Sequence, residues 1–64
     1  MNVYLTVEIF KGDVTSVTAH LSKGSALIAE ALWLKEMLIR TPEDREARAQ
    51  IGTEFRIQEC QLLP

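Results

Sequence analysis

The sequence is short of almost everything that builds an active site or a covalent framework. It has one cysteine, Cys60, and one histidine, His20. No intrachain disulfide can form, and a metal cage within one chain has at most two soft ligands. A single free thiol fits a reducing compartment, so a cytoplasmic location is expected. Glycine is scarce, with three residues in all, and no Gly-rich phosphate loop or zinc-ligand spacing occurs. Positive charge is not in excess: the formal net charge is −2, whereas nucleic-acid binding asks for a basic face. No apolar run approaches the roughly 20 residues of a membrane span. The N-terminus opens directly on a strand pattern, without the features of a signal peptide. Neither a membrane nor nucleic acid is expected as a partner, and no cofactor or small-molecule substrate is evident.

What is present is patterned apolar sequence. Val3, Leu5, Val7 and Ile9 alternate with Tyr4, Thr6 and Glu8, the period of a half-buried strand. Lys11-Gly12-Asp13 supplies a turn. A second run, Thr15 to Ser22, places Val17, Ala19 and Leu21 on one side and Ser16, Thr18 and His20 on the other. Together these runs predict a β-hairpin, with the Val17 set facing inward.

The stretch from Gly24 to Arg40 reads as a helix, rich in Ala, Leu, Glu, Lys and Met. Ser22 or Ser25 can cap its start. Its far end lacks a glycine cap, and Leu38 stands where glycine is the natural residue. Leu27, Ala31, Leu34 and Leu38 form one apolar stripe suited to a sheet. Ile28, Leu32 and Ile39 form a second, with Trp33 and Met37 on other flanks. Thr41-Pro42-Glu43-Asp44 then announces a short second helix, from about Pro42 to Gln50, with Thr41 as N-cap. Gly52 is its natural stop. A last strand begins near Thr53 with Phe55 and Ile57 inward; its alternation breaks beyond Gln58, at a bulge or where the strand leaves the core.

The expected fold is therefore α+β, in the order β-β-α-α-β, as one small domain over residues 1–64. Its three-stranded, mainly antiparallel sheet has order 2-1-3, with the long amphipathic helix across the Val3/Leu5/Val7/Ile9 face. A second helix that only turns the corner makes the third strand antiparallel to the first, and its shortness favours this over a parallel return.

Three constellations invite chemistry. His20 and Cys60 would make a nucleophile pair only if their strands presented them on one face beside an orienting acid. Glu8, Glu54 and Glu59 would need a cleft to act as paired carboxylates. Arg40, Arg45, Arg48 and Arg56 are interleaved with Glu43, Asp44 and Glu46, the pattern of ion pairs along a wet helix face. An enzyme is not expected.

The helix surplus is more telling. A chain of 64 residues has a marginal core and is commonly stabilised by oligomerisation when disulfides and metals are lacking. Ile28, Leu32, Trp33, Met37 and Ile39 are the expected contact of a homo-oligomer with cyclic symmetry. The same surplus would mark a natural scaffold redesigned for self-assembly. Two alternatives remain: the second helix and the tail Leu62-Leu63 cover these residues, or the chain is a regulatory adaptor. The adaptor would bind protein or nucleic acid through its open sheet face or a strand edge, using Tyr4, His20 and Arg56.

Overall fold

The computed structural model describes residues 1–62. Its elements are β1 (Asn2–Phe10), β2 (Asp13–His20), α1 (Lys23–Glu36), α2 (Pro42–Gln50) and β3 (Glu54–Gln61). The sheet has order β2-β1-β3, and β1 is antiparallel to both neighbours.

The hairpin closes through a two-residue turn. Lys11 and Gly12 both take positive φ, 51° and 86°, as a type I′ turn requires for its twist to match the strands. The irregularity expected near Gln58 lies elsewhere. β3 pairs with β1 from Glu54 to Gln61 without a shift, whereas the β1–β2 register slips between Glu8 and Ile9. Thr15 is the extra residue there, and its hydroxyl donates to the Glu8 carbonyl at 3.2 Å. Glu59 keeps the strand's parity yet stays exposed, accepting from the Asn2 amide at 3.0 Å.

Both helices have side-chain N-caps. Ser22 Oγ accepts from the Ser25 N–H at 3.1 Å and Thr41 Oγ1 from the Asp44 N–H at 3.1 Å. α2 spans the expected residues, but α1 stops at Glu36, well short of Arg40. There the chain turns back through Leu38, which takes φ 58°.

Residues paired across strands share a face of the sheet. One face carries Tyr4 with His20 and Glu59, Thr6 with Thr18 and Ile57, and Glu8 with Ser16 and Phe55. α1 lies against this face. Trp33 packs on Phe55 with ring centroids 5.5 Å apart, and Ile39 completes the buried cluster, flanked by Ala29, Leu34, Met37 and Ile57. This corrects two expectations, that α1 crosses the Val3/Leu5/Val7/Ile9 face and that Val17 and Ala19 point inward. The cause is register: pairing Phe55 with Glu8 puts the large apolar residues of β3 on the Thr6 side, and the helix follows them. The stripe that meets the sheet is Ala26, Ala29 and Trp33 of α1 with its C-cap Met37, spaced i, i+3, i+7, i+11. Leu27, Ala31 and Leu38, expected there, are exposed, and Leu34 alone of that set is partly buried.

Candidate interaction surfaces

The contact residues expected on the helix divide sharply. Trp33 and Ile39 are buried in the core, 6% and 8% exposed, and Met37 is half-buried beside them. They belong to the fold and correct the expectation of a five-residue contact. Ile28 and Leu32 remain in water, 64% and 55% exposed, with Leu27 and Ala31 exposed next to them. α2 does not cover them. Its contact with α1 is made on another side of the helix, where the Arg45 guanidinium donates to Glu30 at 2.9 Å and to the Phe55 carbonyl at 3.2 Å. Leu62 is exposed, and Leu63 lies outside the described residues.

That reach across elements also replaces the ion pairs expected along α2. Arg45 pairs with α1, and the other ion pair among the described residues joins Arg56 to Glu54 on β3 at 3.3 Å.

The second apolar surface is the sheet face turned away from α1. Its rows are Val3 beside Cys60, Leu5 between Ala19 and Gln58, Val7 between Val17 and Arg56, and Ile9 between Val14 and Glu54. Val14 and Val17 on the edge strand are 61% and 58% exposed. Alternation per strand revealed these residues as one set, but their solvent-facing side emerges only from the cross-strand register.

Between α1 and the sheet lies a cleft of about 260 Å³. Its floor is formed by Thr6, Glu8, Thr18, His20 and Phe55 and its helix side by Ala29, Leu32, Trp33 and Glu36, so that Leu32 borders it. His20 is held on both sides: Nδ1 is 2.8 Å from Ser25 Oγ and Nε2 is 3.2 Å from Thr6 Oγ1. Thr6, itself buried, donates to the Thr18 carbonyl at 3.4 Å. Each ring nitrogen thus has one hydroxyl partner, and which nitrogen donates follows the tautomer of the ring. The relay pins the start of α1 to the end of β2. Local pattern gives no signal of it, since Ser25 reads in the sequence only as a candidate cap.

The other constellations come apart. His20 and Cys60 sit on opposite faces of the sheet, as do Glu54 and the pair Glu8 and Glu59. Tyr4 and His20 are on the helix side and Arg56 on the other, so the adaptor's three residues share no surface. Among the described residues, no cluster of side chains is suited to a metal ion, and no helix is long and apolar enough to cross a membrane. Comparison with protein-family models, with curated proteins and with solved structures finds no match.

Proposed function

We propose that this chain is a non-enzymatic assembly module that associates with copies of itself through the outer face of α1. One observation carries the reading: the helix turns Ala26, Ala29 and Trp33 toward the sheet and leaves Leu27, Ile28 and Leu32 largely in water. Each large apolar side chain left exposed forgoes roughly 1.5–3 kcal/mol of burial, and several in one patch point to a partner.

The pattern suits a second copy of the same helix. Set antiparallel about a two-fold axis between Ala29 and Glu30, Leu27 meets Leu32, Ile28 meets Ala31, and Gly24 meets Lys35. Every large apolar residue is then opposite an apolar one, and Ala31 allows close approach at the centre. Such self-complementarity is what an isologous contact demands. The experiment is light scattering after size exclusion on the chain and on a variant with Ile28→Lys and Leu32→Lys. A discrete oligomer that loses mass in a variant with unchanged circular dichroism supports the contact. A monomeric parent, or a variant of unchanged mass, overturns it.

A further inference from the structure

On β1 and β2 the two faces of the sheet carry the reverse of what a solitary two-layer domain requires. On these strands the face under α1 holds Thr6, Glu8, Thr18 and His20, its large apolar residues coming from β3 as Phe55 and Ile57. The opposite face holds half-buried Leu5, Val7 and Ile9 beside exposed Val14, Val17 and Ala19, with Val3 buried at its end. Antiparallel sheets with one solvated face normally turn the polar set outward. The molecule is also thin, with principal extents of 40 × 21 × 15 Å, which leaves no room for a third layer of its own over the valines.

We propose that this open face is a second interface between copies of the chain, formed by stacking two sheets face to face. The inference rests on the reading that the chain self-associates, and it adds a surface distinct from α1. Three features single out a second copy as the occupant. The first is layout: the apolar stripe of β1 and β2 is bordered by Glu54, Arg56, Gln58 and Cys60 on β3, the arrangement of an apolar interface core with a polar rim. The second is charge. Glu54 and Arg56 on this face already neutralise one another at 3.3 Å, so two identical faces meet without net repulsion, and neither recruits a partner of opposite charge. The third is area. Three strands of eight residues make a face of roughly 26 by 14 Å. With side-chain relief, two such faces bury on the order of 1,300 Å² in total, within the range of stable dimers. A twisted three-stranded sheet packs well on its own copy, at about 10 Å separation and about 30° between strand directions.

With contacts on opposite sides of the molecule, one through α1 and one through the sheet, the chain assembles beyond a dimer. The test is light scattering on the parent, on Val17→Lys, on the α1 variant and on the combination. Val17 lies on an edge strand and is already exposed, so a lysine there is tolerated by the isolated fold. The expected result is that Val17→Lys lowers the mass, with association weakened about a hundredfold by a charge placed in an apolar contact. A second measurement needs no variant: labelling of Cys60, on this face beside Val3, slows as the parent is concentrated into its oligomer. Loss of mass in Val17→Lys alone supports the sheet contact and removes the α1 contact. Loss in the α1 variant alone, with Cys60 labelling independent of concentration, overturns the sheet contact and keeps the other. A monomeric parent overturns both.

Discussion

Leu38 and Gly52 hold the same position in two copies of one helix-ending motif. After α1, the Leu38 N–H donates to the Lys35 carbonyl at 3.2 Å and the Ile39 N–H to Leu34 at 3.0 Å. After α2, the Gly52 N–H donates to Ala49 at 3.0 Å and the Thr53 N–H to Arg48 at 3.0 Å. Both are Schellman caps, whose pivot residue sits in the left-handed region. Gly52 does so at φ 83° without a Cβ; Leu38 does so at φ 58° with one. The α1 cap persists because Ile39, the residue after the pivot, is delivered into the core against Trp33 and Leu34.

Leu38→Gly therefore stabilises the fold. The left-handed conformation costs a non-glycine residue about 1–2 kcal/mol, part of which is offset by the greater freedom of glycine in the unfolded chain. A net gain of about 0.5–1 kcal/mol is expected in urea denaturation, with an unchanged slope. Loss of stability would mean that the exposed Leu38 side chain makes contacts of its own.

Gly52→Ala goes the other way, and more steeply than its φ alone implies. A Cβ there would lie 2.7 Å from the Gly12 nitrogen and 3.2 Å from the Lys11 carbonyl carbon. The same approach brings the Gly12 N–H to the Gly52 carbonyl at 3.0 Å, tying the start of β3 to the hairpin turn. At Gly12, by contrast, an added Cβ meets nothing within 4 Å, and only conformational strain is charged. Expected losses are about 1 kcal/mol for Gly12→Ala and at least about 2 kcal/mol for Gly52→Ala. Equal losses would show that the backbone relaxes away from the contact.

Trp33 and Leu32 are neighbours in sequence with separate tasks. Trp33→Ala removes the largest side chain of a core in which it stacks on Phe55, and costs about 3–5 kcal/mol. Leu32→Ala leaves unfolding of the isolated chain within about 0.5 kcal/mol and acts on association instead. Thermal melts at a dilution where the chain is monomeric, set beside the mass at high concentration, separate the two. A Leu32→Ala variant as unstable as Trp33→Ala would place Leu32 in the core.

That division marks the limit of what the chain spells out locally. Strand and helix identities, the 2-1-3 order, the Thr41 cap and the Gly12 turn all follow from periodicity and capping chemistry within a few residues. The face of the sheet that meets α1 does not. Val3, Leu5, Val7 and Ile9 are one parity of β1, Phe55 and Ile57 one parity of β3, and each set alone looks inward. Only the pairing of Thr6 with Ile57 and Glu8 with Phe55 reveals that the two sets cannot share a face. The helix then follows the aromatic ring, and Val14 and Val17 are left outside. The end of α1 was hidden for a similar reason: helix propensity runs on through Leu38, and the burial of Ile39 overrides it.

The His20 relay is expected to behave as one unit. Ser25→Ala and His20→Ala each remove a hydrogen bond at the junction of β2 and α1, at about 0.5–1.5 kcal/mol. Thr6 stays satisfied by the Thr18 carbonyl, so no buried hydroxyl is stranded and the loss for His20→Ala stays moderate. Because Ser25 Oγ bonds the ring at 2.8 Å, removing it after His20 is gone should cost little more. A double-mutant cycle by urea denaturation is expected to give a coupling of about 0.5–1 kcal/mol. Strict additivity would separate Ser25 from the ring and reduce the relay to two independent surface contacts. Amide exchange over Lys23–Ala26 gives a local view of the same junction: faster exchange in His20→Ala than in the parent locates the loss at the first turn of α1.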